Sequence, residues 1–510
     1  MAPMRRFLAA LLALALARCL ALADVTPAQD RPFTVMTYNV ENLFDVDRVS
    51  KFDDYAEKPN DPNAYGPPKL LQKLAGIGRV LKSVAGGAGP DIVILCELEI
   101  DFTPESKVPD IARFLAEHRG TSARQMLSGD LTDSTRGVPS EAWLLKHLSD
   151  IGLHGYLAVV GEDFPDPAGR DDIAHKNVIL SRFPVLSSAT HRTAGARGVV
   201  EAVLDVHGQR VHVFANHWKS GASNAAAEET RVGNASVLRR RLDDLLRANP
   251  NAEVIIGGDL NSHYNQNQRY PHLRRTGIQD VLGSQGIKPA LARPGGPALY
   301  NLWHELPPER RLSDEFDGEW GTLMHLIVSR GMLDGTGVEF IDGSFSPLIL
   351  PGTNAQPPLN LPWRWTSHGP GAGTSDHFPL VASFNLSMTR KTRDLAQPDA
   401  LAANPAAALK VGYPSLDRSR LRNAAFLAKA SPDAIAQAIG ELFVVDAVVP
   451  QGRPFEVTVG GRRFALHSFD RDLKESLRAW KPGDNVRFVG ELGTYKGRLQ
   501  FVIHDPAWRN

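Results

Sequence analysis

Short apolar runs that end in polar residues recur along this chain. FTVMTYNV (33–40), DIVILCEL (91–98), HKNVILSR (175–182), VHVFANHW (211–218) and EVIIGGDL (253–260) have the length and β-branched content of buried strands. Asn39, Glu97, His217 and Asp259 stand at or near their ends. Between the runs, KLLQKLAGIGRVLKSV (69–84) and the stretch from Ala225 to Asn249 show the spacing of amphipathic helices, the second closing on R-A-N-P. Strands alternating with helices predict an α/β domain of two sheets with polar strand tips gathered at one rim. The tip GGDLNSH carries Asp259 and Asn261 two residues apart. On an extended chain such a pair points the same way and suits gripping one polar object.

The pattern changes near Met388. A stretch rich in Ala, Pro and charge reads as a linker, and with the helical run that follows it occupies 387–440. Residues 441–510 then read as three strands (443–449, 454–461, 462–468), a helix (471–480) and two strands (485–495, 497–505). That is the order of a small all-β, five-stranded OB-like barrel. Phe455, Phe464, Phe488, Tyr495 and Phe501, with Arg462, Arg463, Arg487, Lys496 and Arg498, supply the ingredients of a single-strand stacking platform. The competing reading turns the phenylalanines into the barrel core.

With 510 residues, two or more domains are expected. The 57 basic and 57 acidic residues cancel, which excludes a globally basic nucleic-acid binder but not a local basic groove. Residues 1–23 read as an export signal: Arg5 and Arg6, an apolar run from Phe7 to Ala17, and A-L-A before Asp24. The run is short for a membrane anchor and Arg18 interrupts it, so the mature chain is expected to be periplasmic or extracellular, with no membrane span. Its one remaining cysteine, Cys96, sits in an apolar run and reads as core.

Five pieces carry polar residues where core-crossing strands end: TYNVENLF (37–44), CELE (96–99), NHWKS (216–220), GGDLNSH (257–263) and TSDHFPL (374–380). In this order they resemble the endonuclease/exonuclease/phosphatase superfamily, the fold of deoxyribonuclease I, over the segment 31–386. The resemblance implies a four-layered α/β sandwich and metal-dependent hydrolysis of a phosphate ester. It implies Mg2+, or Mn2+ in its place, held by Asn39, Glu97 and Asp376, with Glu97 the principal ligand. Asp259 and Asn261 would position or deprotonate the attacking water and hold the phosphate. His217 and His377 match the histidines that flank the scissile phosphate, with His377 favoured for acid–base transfer. Lys219 and, more weakly, Arg182 are candidates to meet the substrate; a strand-end ion pair is the equal alternative for Arg182.

One position departs from the pattern. Where the family carries an acid that orients the catalytic histidine, this chain has Met324 in GTLMHLIVS, so that either Asp314, Asp317 or Glu319 does the orienting or His377 is set differently. The expected function is an exported phosphodiesterase, with nucleic acid as substrate. Hydrolysis of phospholipids or small phosphate esters, or a binding role with reduced activity, stands as the alternative.

Overall fold

A computed structural model describes residues 32–509, except 57, 59–60, 62–63, 102–107, 129–130, 163–172, 289–297, 358, 368–370, 388–417, 453, 469–470 and 496. The expected export signal, most of the expected linker and Lys496 lie outside the described residues. Among those described, no helix is long and apolar enough to cross a membrane.

The strands that matter for the site are β1 (Phe33–Leu43), β2 (Ile92–Glu99), β3 (His175–Ser181), β4 (Gln209–His217), β5 (Glu253–Asp259), β6 (Met324–Ser329) and β7 (Leu380–Ser387). One sheet runs Gly337–Phe340, β7, β1, β2, β3, Leu157–Val160, with β1 and β2 parallel. The other runs Val185–His191, Val199–Val206, β4, β5, β6, Leu299–Asn301, with β4 and β5 parallel. The inner faces meet through Val35, Ile94, Ile179, Val213, Ile255 and Leu326. Helix α1 (Pro67–Lys82) covers the first sheet with Leu70, Leu74 and Ile77, and helix α2 (Ala225–Ala248) covers the second with Leu238 and Leu242. The result is the expected four-layered α/β sandwich. Strands buried on both faces explain why the runs are apolar throughout rather than alternating. Parallel pairing brings the C-terminal ends of β1 and β2 together, and likewise those of β4 and β5, as at ligand-binding crevices of α/β sheets.

Glu253, at the start of β5, bridges the two sheets: its Oε1 accepts the Val338 N–H at 2.7 Å, and its Oε2 is buried without a partner. Burial, aided by Asp334 and Glu339, pushes this carboxyl up to about 7 against the opposing Val338 bond. A raised native pKa stabilises the fold below the unfolded value and loses that contribution as pH climbs through about 7. Glu253→Gln is therefore expected to be more stable than the wild type by about 1–3 kcal/mol above pH 7, with little difference at pH 4. Urea midpoints of the two proteins at pH 4 and pH 8 check this; a constant difference between them would refute it.

The C-terminal strands Leu442–Val448, Glu456–Val459, Arg462–His467, Asn485–Tyr495 and Arg498–Val502 close into a barrel, with a helix at Arg471–Leu477 before the last two. Closure is made by the first strand pairing the fourth, Leu442 opposite Glu491 through Val448 opposite Asn485. Gly490 sits where an added Cβ would lie 2.9 Å from the Phe501 side chain, so the long strand can curve there. The expected stacking platform is not assembled. Phe464, Phe488 and Phe501 are buried in the barrel core and Phe455 packs against it. Arg463 pairs with Glu456, Arg487 pairs with Asp446, and Arg462 donates to the Ala430 carbonyl. Of the aromatics named, Tyr495 is the exposed one.

Candidate active site

The tips of β1 and β2 leave regular geometry where the polar residues begin. The β1–β2 register shifts between Asn39 and Leu43, and the β2–β3 register shifts between Leu95 and Leu98. Glu41, Asn42 and Glu97 all take positive φ (47°, 68° and 66°). Bulges of this kind re-aim a side chain that the strand pleat would otherwise send to a fixed face. Gly258 permits the matching irregularity in β5: at φ 126° an added Cβ would lie 1.9 Å from the Asn216 carbonyl oxygen. Only glycine lets β4 and β5 approach so closely one residue before Asp259.

Asn39 is fully buried, and its Nδ2 donates to Glu97 Oε1 at 2.9 Å and to Asp259 Oδ2 at 3.2 Å. Its Oδ1 accepts the Glu41 N–H at 2.9 Å, which fixes the amide orientation. Asn39 therefore turns donors, not an oxygen, toward the carboxylates; it orients them, in place of the expected role as a metal ligand. His217 Nε2 lies 3.8 Å from Glu97 Oε1 and 3.7 Å from Asp259 Oδ2. His377 Nε2 lies 3.6 Å from Asp259 Oδ2 and 3.7 Å from Asp376 Oδ1. Asn261 joins by a different geometry from the extended pair expected. It turns into φ 48°, its N–H donates to Asp259 Oδ1 at 2.9 Å, and its Nδ2 donates to the Trp218 carbonyl at 3.1 Å. The Asp376–His377 tip is pinned to β1 by Ser375, whose hydroxyl donates to the Asn39 carbonyl and accepts the His377 N–H.

Two of the candidates are not brought into this network. Lys219 is exposed, its backbone N–H bonds Asn234 Oδ1, and among the described residues no bond or ion pair joins its side chain to the cluster. Arg182 follows β3 at the end away from the rim. There it donates to the carbonyls of Ala88, Gly89, Pro90 and His154, pairs with Asp91 and lies over Tyr156. Antiparallel pairing of β3 with β2 is the reason: His175 is opposite Glu99 at the rim, and Ser181 is opposite Ile92 at the far end.

The two histidines are held in opposite states. Burial alone would lower His377, but Asp376, Asp259, Asp314 and Glu97 together raise it to about 9. Burial lowers His217 well below its ordinary value, and Arg197, His175 and His377 push the same way. At neutral pH the first is an imidazolium and the second a neutral ring. Asp314 answers part of the Met324 question. It bridges His377 along the backbone, yet its Oδ1 is engaged by the Ser313 hydroxyl at 2.7 Å and the Leu323 N–H at 2.9 Å. His377 Nδ1 is buried without a hydrogen-bond partner, so Asp314 acts on the ring through charge. An imidazolium carries both ring protons and has no tautomer to select, which lessens the need for an orienting acid. Met324 itself pairs with Asp259 in the β5–β6 register and fills the core between the sheets.

Four further residues enter the site. Arg197 donates to His175 Nδ1 at 3.2 Å, and its charge acts on both His217 and Glu97. Glu41 and Arg364 form an ion pair at 3.4 Å. Lys73 is fully buried, and its ammonium donates to the carbonyls of Glu41 (2.7 Å) and Thr374 (2.6 Å) beneath Trp365. Burial brings its pKa down to about 7 despite nearby Glu41, Glu97 and Asp376. Its sequence signal was a lysine on the apolar stripe of α1. Arg197 and Arg364 have no comparable signal.

Glu97 and Asp376 fit a hard divalent cation. Burial first, and then the charge of Asp376, raises the Glu97 carboxyl, and Asp376 Oδ1 is a buried oxygen without a hydrogen-bond partner. Among the described residues no group of three or more His, Cys, Asp or Glu side chains forms a ready cage, and Mg2+ characteristically keeps much of its water instead.

Residues 176–385 match the Endonuclease/Exonuclease/phosphatase family. That segment carries His217, Asp259, Asn261, Asp376 and His377; Asn39 and Glu97 precede it and join through the β1–β7 and β1–β2 pairings. The chain resembles the endonuclease/exonuclease/phosphatase superfamily in fold, which suggests a phosphodiesterase or nuclease. No curated protein matches the sequence. Among solved structures the chain is similar to D. rerio TDP2 humanized by 14 mutations, at 15% identity over 69% of this chain and 99% of that one, with a TM-score of 0.36. It is also similar to an endonuclease/exonuclease/phosphatase family protein from Leptotrichia buccalis (12% identity, 69% and 98% covered, TM-score 0.39). A third is the human Nocturnin catalytic domain with bound sulfate anion (14% identity, 69% and 94% covered, TM-score 0.34).

Proposed function

We propose that the chain is an exported phosphodiester hydrolase that works with a divalent cation and takes nucleic acid as substrate. The observation that supports this most is the convergence of Glu97, His217, Asp259, Asp376 and His377 within 3.8 Å contacts at one rim, with one histidine charged and the other neutral. When bound at Glu97 and Asp376, the cation supplies positive charge for the phosphoryl oxygens and the leaving oxygen. Asp259, its carboxyl raised chiefly by burial, accepts a proton from the attacking water as the water oxygen bonds to phosphorus. The ester P–O bond breaks, and the leaving oxygen takes a proton from the His377 imidazolium. Neutral His217 and the half-buried Arg197 hold the phosphoryl oxygens as donors. Export is supported by the sequence of residues 1–23 alone.

A second reading has its own observation. A groove of about 890 Å³ runs from Asp376 and Arg364 to the barrel hairpin, and Asp53, Asp54, Glu315, Asp317 and Glu491 are among its lining residues. Acidic walls disfavour a long polyanion and favour a small phosphodiester or a lipid headgroup. The mature protein is to be incubated with plasmid DNA, single-stranded DNA, RNA and bis(p-nitrophenyl) phosphate, with and without Mg2+. Mg2+-dependent cleavage of a polymer is expected. Turnover of the small ester with every polymer left intact would transfer the function to the second reading, and no turnover at all would sink both.

A further inference from the structure

Arg364 lies between Trp363 and Trp365 on the segment leading to the Asp376–His377 tip, and its guanidinium reaches two carboxylates at once. Nε is 3.4 Å from Glu41 Oε1, and Nη2 is 3.4 Å from Asp376 Oδ2. Glu41 is held in place by its neighbours. Glu41 Oε2 accepts the Trp365 N–H at 2.5 Å, and the Glu41 carbonyl is held by the buried Lys73 ammonium, which also holds the carbonyl of Thr374. Asp376 divides its oxygens: Oδ2 faces the guanidinium, while Oδ1 is buried 3.7 Å from His377 Nε2.

Two carboxylates bridged by one cation is the arrangement a second divalent ion would make beside the first. Here an arginine supplies that charge covalently. It cannot be deprotonated in a protein, so the positive charge is present whatever the ion concentration. A guanidinium brings one positive charge rather than two, so it neutralises the Glu41–Asp376 pair in part and leaves Asp376 Oδ1 for the first ion.

We propose that Arg364 is the built-in cation of this second position, so that the site takes one divalent ion per chain, held by Glu97 and Asp376. The inference rests on the divalent-cation reading above. It places Arg364 apart from the groups that handle the water and the leaving oxygen, and makes it the residue that sets metal stoichiometry.

Mn2+ binding to the full chain, followed by the electron paramagnetic resonance signal of the free ion, tests it without any turnover. The wild type is expected to bind about one ion. Arg364→Gln is expected to bind a second, more weakly, because Glu41 and Asp376 are then left bridged by nothing, and Arg364→Lys to stay near one because the charge is kept. The side chain is 70% exposed, so both variants are expected to fold, with circular dichroism as the control. Two ions in the wild type, or one ion in Arg364→Gln, would overturn the proposal and leave the divalent-cation reading standing. No ion in the wild type would overturn both.

Discussion

Replacing Asp259 by asparagine is expected to lower kcat/KM for phosphodiester hydrolysis by about 10²–10⁴-fold, the range by which positioned acid–base groups accelerate reactions. Asp259 is the hub of the site: it takes a bond from Asn39, sits within 3.7 Å of both histidines, and accepts the Asn261 N–H. Asparagine has the same shape and keeps an acceptor for that N–H, but it cannot take a proton from water. It also removes one of the charges that hold His377 up near 9. Stability is expected to hold or rise, because a buried amide costs less than a buried carboxylate. Steady-state kinetics beside a urea melt separate the two effects. A variant that keeps its rate within about tenfold of wild type would remove Asp259 from the role of proton acceptor.

Arg231→Met is expected to cost about 3–5 kcal/mol of stability, the range found when one partner of a buried pair is removed. Arg231 is fully buried on α2. It donates to the carbonyls of Lys219, Gly221 and Ala222 and pairs with Glu228 at 2.6 Å. Glu228 in turn accepts the Gly277 N–H and the Gln266 amide, so one buried ion pair ties the segment after His217 to α2 and to the segment after β5. Methionine leaves that carboxylate without a counter-charge and takes a donor from three carbonyls, of which Gly221 keeps the Asn224 N–H and Ala222 the Gln266 amide. The double variant Arg231→Met/Glu228→Gln is expected to recover part of the loss, since it removes the orphaned charge. Chemical denaturation of the single and double variants measures both. A shift of the single variant below about 1 kcal/mol would show that water or rearrangement satisfies the pair.

Neither Arg231 nor its role was legible in the chain: an arginine three residues after a glutamate on a helix reads as a solvated pair. The same holds for Arg197 and Arg364, whose neighbours Gly198, Trp363 and Trp365 give no periodic signal. Their roles depend on which distant carbonyls and carboxylates come near, and those lie up to hundreds of residues away in the sequence. The barrel phenylalanines show the opposite case. Strand alternation already allowed Phe464, Phe488 and Phe501 to point inward, and closure of the barrel made that choice.

The apolar runs by themselves determined the strands, the two covering helices and the layered α/β class, because burial on both faces of a sheet demands that pattern. The five polar tips, in the order that resembles the superfamily, marked the candidate residues, because acid, amide and imidazole groups gathered at strand ends are costly to bury without a partner. Only the tertiary structure decided how they act. Bulges and positive φ at Glu97 and Asn261 re-aimed the side chains, and the direction of β3 took Arg182 to the far end. A single Glu41 N–H fixed which way the Asn39 amide faces. The carboxylates around His377, and the burial of His217 aided by Arg197, set two identical rings to different protonation states. Orientation and protonation are properties of what surrounds a group in space, and sequence spacing does not carry them.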